Sequence, residues 1–212
     1  MSHKPRLEVI SPSRGRCGAT RAEFIARGIL AGGALAGGGA LLVALPRVAM
    51  SSPSPAQDQK ILNFALELEY IEAGFYAEAF AKRKLRGDLL DYVSTVRHHE
   101  RAHVAFLKGA LGSSARKEPD LDFGDATSDP EAFTAAAIAL EETMVAAYNG
   151  QATNLTKGTL AKAATIVSVE ARHAGWIRAI AGRDPAPDAT DTPKTAAEVQ
   201  AAVKRTGFVG SS

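Results

Sequence analysis

One cysteine, Cys17, stands in 212 residues. That scarcity excludes an intrachain disulfide framework, a Cys-x-x-Cys pair and any thiolate zinc or rubredoxin-like site. Aromatic residues are also few, 6% against 46% hydrophobic residues overall, so the core must be built mainly from Ala, Leu, Val and Ile. A basic surface is missing from most of the chain. Residues 57–212 hold eighteen Lys/Arg against twenty-one Asp/Glu, whereas residues 1–56 hold seven against two. The net charge of +2 therefore belongs to the N-terminal segment. The remainder offers no cationic patch for phosphates, which argues against nucleic acid as a partner.

A long uncharged run occurs at residues 28–45, rich in Gly, Ala and Leu. Before it the chain is polar and basic; after it come Pro46 and a Ser/Pro-rich stretch at 51–55. A basic leader, an apolar run and a small-residue exit are the parts of an export signal, and cleavage before Gln57 is one reading. Thr20-Arg21-Ala22-Glu23-Phe24-Ile25 resembles the bacterial twin-arginine motif, with Ala22 where a second arginine is expected. The expectation is an exported protein (periplasmic, envelope-bound or secreted). The alternative is an uncleaved N-terminal anchor: the run is at the short limit of what spans a bilayer, and it would be the chain's one membrane contact. Residues 1–56 are thus read as signal and linker, 57–183 as the folded domain and 184–212 as a C-terminal tail.

The domain reads as four helices. Over 57–84, Ile61, Ala65, Leu68, Glu72, Phe75, Tyr76 and Ala79 share one face at 100° per residue, with Glu69 at its flank. Asp88 is predicted to cap a second helix over 88–111, whose apolar stripe contains Glu100 and His103. His98 falls on the opposite side, and His99 at the edge of that stripe. Residues 112–128 lack periodicity and form a loop long enough to run the length of a bundle, leaving helices two and three parallel. Asp129-Pro130-Glu131 opens a third helix with a capping residue and a first-turn proline, extending to about Thr153. A fourth spans 157–181 and ends at Gly182. In the tail, 184–195 is polar and Pro-rich and reads as a linker or surface-wrapping segment, and 195–206 reads as a short amphipathic helix docked on the bundle or as mobile chain.

Two stretches carry the chemistry. Glu100-Arg101-Ala102-His103 and Glu170-Ala171-Arg172-His173 each put a carboxylate and an imidazole on one helical face. A lone copy reads as a helical ion pair, but these two lie inside a repeat. Leu68-Glu69-Tyr70 through Tyr76 matches Leu140-Glu141-Glu142 through Tyr148, offset by 72 residues, and the Glu-x-x-His pairs are offset by 70. The domain is therefore a duplicated helix hairpin. Glu69, Glu100, Glu141 and Glu170 stand at similar heights in their helices and would meet mid-bundle. Unpaired carboxylates there would be strongly destabilising, and two divalent metal ions would neutralise them. Carboxylate oxygen with one imidazole per ion suits iron or manganese.

On these motifs the chain resembles the exported bacterial ferritin-like domain proteins, relatives of the desiccation-associated ferritin-like proteins, over about residues 57–181. The resemblance implies an all-α ferritin-like four-helix bundle of two duplicated hairpins with a long crossover between helices two and three. It implies a dinuclear iron or manganese site with Glu100 and Glu170 as bridging ligands, Glu69 with His103 and Glu141 with His173 as terminal ones. Tyr76 and Tyr148 would hydrogen-bond ligating carboxylates or donate an electron. Glu72, whose counterpart in the repeat is Met144, would be a further ligand, a proton shuttle, or a ligand in place of Glu69. Relatives of this kind act on peroxide, dioxygen or ferrous iron as peroxidases, catalases or ferroxidases. The competing expectation is a non-catalytic stress or envelope scaffold with a structural or vestigial metal site. A homo-oligomer is compatible with either.

Overall fold

The computed structural model describes residues 52–210; the leader expectations fall on residues outside that range. Five α-helices follow one another: α1 Pro55–Lys82, α2 Asp88–Leu111, α3 Pro130–Gln151, α4 Lys157–Ile180 and α5 Ala196–Thr206. No strand occurs among the described residues, and none of their helices is long and apolar enough to cross a membrane. The first four form the bundle that the periodicity implies, α1 pairing with α2 and α3 with α4.

The ends of the helices follow local chemistry. Ser54 caps α1 by accepting a hydrogen bond from the Gln57 amide, with Pro55 at the first turn. The helix thus starts two residues before the predicted Gln57. It stops at Lys82 rather than at residue 84, because Arg83 takes a left-handed conformation. Asp88 is not a cap: Gly87 holds the N-cap position with no side-chain bond, and Asp88 is the first helical residue. Asp129 does cap α3, accepting from the Ala132 amide at 2.8 Å. That helix ends at Gln151 and continues as a single 3₁₀ turn. Asp58 ties the start of α1 to the start of α4, accepting from the Thr156 amide and from the Thr156 and Thr159 hydroxyls. Burial opposes its charge, and the Thr156 and Thr159 bonds overcome that and hold its carboxyl below the usual range.

Two apolar clusters fill the bundle. One joins Phe75, Tyr92, Val96, Phe133 and Ile177; the other joins Leu66, Leu107, Met144, Leu155 and Ile166. Along α2 and along α3 the chain passes from the first cluster to the second, so these helices are parallel. The segment between them must return the full length of the bundle, and it does so along α1. Asn63 donates to Ser114 O and accepts from the Arg116 amide, Tyr70 donates to Arg116 O, and Lys82 donates to Gly124 O and Thr127 Oγ1. Midway, Gly74 leaves room for the crossover, since a Cβ there would stand 2.8 Å from Leu121 Cδ1.

The tail is built into this surface. Residues 184–195 pass over α3, where the Lys194 amide donates to Ala146 O at 3.0 Å. A reciprocal capping box of Thr195 and Glu198 then starts α5, whose Val199 is fully buried in the second cluster. Phe208 stacks on Phe75 and meets Phe123 edge-on, and Val209 forms an antiparallel bridge with Leu121. A Cβ at Gly150 would overlap the Lys194 carbonyl oxygen, and that backbone cannot move without releasing the strap. Gly150→Ala is therefore expected to lower stability by about 1–3 kcal/mol and to open residues 184–210 to proteolysis. Mass analysis of the fragments checks this; a variant as resistant as the parent contradicts it.

Candidate metal centre

Between the two apolar clusters lies a layer of ionisable side chains. Glu69, Glu100, Glu141 and Glu170 are 0% exposed and His173 is 2% exposed, with His103 and Glu72 also buried. Each helix of the bundle contributes from its middle turns, because the carboxylates share the helical face that carries the flanking apolar residues. The duplication makes the layer nearly two-fold symmetric.

The arrangement resolves into two overlapping groups. In one, Glu69, Glu100, His103 and Glu170 each turn one nitrogen or oxygen atom to a common point; in the other Glu100, Glu141, Glu170 and His173 do so. Within each group these atoms lie within 4.8 Å of one another. Glu100 and Glu170 belong to both. His103 Nδ1 is 2.8 Å from Glu170 Oε1, 3.2 Å from Glu100 Oε2 and 3.4 Å from Glu69 Oε2. His173 Nδ1 is 3.1 Å from Glu100 Oε1, 3.4 Å from Glu141 Oε2 and 3.5 Å from Glu170 Oε2. A single N–H cannot satisfy three oxygens. Glu69 Oε2, Glu100 Oε1, Glu141 Oε2, both oxygens of Glu170 and His173 Nδ1 accordingly have no hydrogen-bond partner although fully buried. Orphaned buried donor atoms gathered in this way are what a cation requires, so the residues present could hold metal ions.

The tyrosines aim the flanking carboxylates. Tyr148 donates to Glu69 Oε1 at 2.8 Å, and Tyr76 donates to Glu141 Oε1 at 2.5 Å. Each phenol reaches the glutamate of the opposite hairpin. Each thereby leaves the other oxygen, Oε2, facing a histidine Nδ1 at 3.4 Å. Burial, then the neighbouring glutamate charge, pushes all three phenols of Tyr76, Tyr92 and Tyr148 well above the ordinary tyrosine range, so they remain donors.

Without metal, protons hold the layer together. Burial pushes the Glu69 carboxyl up to about 8, against the pull of His103, and raises Glu141 as well. For the imidazoles burial acts the other way, but the facing carboxylates of Glu100, Glu170 and Glu69 push His103 up to about 12, and those of Glu100, Glu141 and Glu170 do the same for His173. Glu72 differs from the rest. It belongs to neither group, both of its oxygens lack a partner, and burial followed by the charges of Glu141, Glu170, Glu100 and Glu69 raises it well above the carboxylate range.

Two residues at the centre escaped the sequence reading. Tyr92 donates to Glu141 Oε1 at 3.0 Å and meets the half-exposed Trp176 edge-on, with ring centroids 5.1 Å apart. It lies on α2, but its partner lies on α3, which spacing within α2 does not show. His99 Nδ1 lies 2.9 Å from His173 Nε2 with the rings stacked. Its helical angle put it at the edge of α2, and the edge turns out to border α4.

A family model described as a ferritin-like domain matches residues 57–183. No curated protein matches the chain.

Proposed function

This chain belongs to the ferritin-like domain family, and on that premise we propose that it holds two iron or two manganese ions and uses them on peroxide, dioxygen or ferrous iron. One observation carries the reading: the two convergent groups share Glu100 and Glu170 and leave their buried oxygens unsatisfied. Glu100 and Glu170, which belong to both groups, would serve both ions, with Glu69 and His103 holding one and Glu141 and His173 the other. When bound, such a pair supplies two electrons by cycling between divalent and trivalent states.

The chain's own residues do the rest. Tyr76, Tyr92 and Tyr148 hold Glu69 and Glu141 in place through Oε1. The apolar clusters above and below exclude bulk water. Access is from the groove between α2 and α4, which His103 and His173 line from beneath beside Trp176. Glu72, protonated and unpartnered beside the four carboxylates, is the acid able to give and take a proton as the layer's charge changes. The export leader, by our reading, places this activity outside the cytoplasm.

The test is metal loading. Purified protein incubated with Mn(II), or with Fe(II) under argon, should retain about two ions per chain, and Glu100→Ala or Glu170→Ala should retain fewer than one. Equal retention by parent and variants would defeat the reading. Loaded protein that turns over neither peroxide nor Fe(II) with dioxygen would leave the metal a structural one in a non-catalytic scaffold.

A further inference from the structure

The repeat is exact at the ligands and broken beside them. His99 precedes Glu100, and the residue at the same place in the second hairpin is Val169, which precedes Glu170. Both line the α2–α4 groove. His99 Nδ1 is 2.9 Å from His173 Nε2, whereas Val169 has no polar atom to offer His103. Among the described residues no side chain hydrogen-bonds His103 Nε2.

His173 turns Nδ1 towards Glu100, Glu141 and Glu170, so an ion held by that group would take Nδ1 and leave the ring proton on Nε2. That N–H would then donate to His99 Nδ1. Such a bond orients the ring and raises the basicity of its ligating nitrogen, and losing one typically weakens metal binding about 10–100-fold. His103 lacks this support.

We infer that His99 is a positioning residue that makes the two metal positions unequal, the Glu141–His173 position binding tighter and filling first. The inference rests on the dinuclear reading above and deepens it by assigning an order of loading.

Mn(II) alone is the probe, titrated into the metal-free full domain and followed by calorimetry and by the free Mn(II) electron-resonance signal. The parent should show two steps separated by about 10-fold or more. His99→Val, which copies the second hairpin, should weaken the tighter step about 10–100-fold and leave the other within about threefold. His99→Asn keeps an acceptor where Nδ1 stood and should stay within about threefold of the parent at both steps. In a Glu69→Gln background the surviving step should still depend on His99, and in a Glu141→Gln background it should not. Two equal steps in the parent, equal loss at both steps in His99→Val, or Asn behaving like Val would each overturn the inference while leaving the dinuclear site intact. A parent that binds no Mn(II) would defeat both.

Discussion

Metal-free protein should lose stability as the pH rises from 5 to 9, and saturating Mn(II) should reverse that trend. Glu69, raised from 4.5 to about 8, binds its proton more tightly folded than unfolded. Its contribution is complete below pH 4.5 and is lost as the pH climbs through 8. His103 and His173, raised from 6.5 to about 12, contribute fully below pH 6.5 and lose that contribution towards pH 12. All three act in one direction across the range. Metal acts in the other, because ligation requires a carboxylate and a neutral imidazole, so affinity grows as protons leave. At free Mn(II) 100-fold above each dissociation constant, each ion adds about 2.7 kcal/mol. Two ions would then raise Tm by roughly 10–20 °C in a domain of this size. Thermal melts with and without Mn(II) at several pH values measure both slopes. Metal-free stability that rises with pH through this window would show that protons do not hold the layer.

Glu72→Met is expected to stabilise the metal-free protein while impairing its reaction. Glu72 is 1% exposed with neither oxygen bonded, a buried polar group without compensation that costs about 1–3 kcal/mol. Methionine has similar length and no polar demand, and Met144 already fills the equivalent position in the second hairpin. The gain should appear as a Tm higher by roughly 2–10 °C. If Glu72 moves protons for the dinuclear centre, turnover should fall at least about 100-fold at unchanged metal content. A destabilised variant would mean that Glu72 has a structural partner. Falling metal content would instead make it a ligand.

The bundle and its polar layer were legible because they depend on spacing within single helices. Glu100 with His103 and Glu170 with His173 share a face through backbone geometry alone. The offsets of 70 and 72 residues announced the duplication before any contact was known. What spacing cannot reveal is which residues meet across helices. Tyr76 and Tyr148 read as partners of ligating carboxylates, and packing decides which one: each reaches the glutamate of the other hairpin. His99 looked peripheral because angle on α2 says nothing of what α4 presents. The end of the tail was opaque for a related reason: Phe208 and Val209 have meaning only against Phe75, Phe123 and Leu121.

The crossover along α1 has a kinetic consequence. It makes each hairpin a local unit, α1 with α2 through a short turn and α3 with α4 through another, so both can form early from contacts of low sequence separation. Neither hairpin owns a complete coordination set. One group takes Glu69, Glu100 and His103 from the first hairpin and Glu170 from the second; the other takes Glu141, Glu170 and His173 from the second and Glu100 from the first. Docking is thus the slow, long-range event, and in the absence of cations it must bury carboxyls that take up protons to enter the layer. An ion caught by three ligands of one hairpin would replace that uptake with a chelate waiting for its fourth arm. Iron or manganese would then act on the folding rate of this chain as well as on its equilibrium.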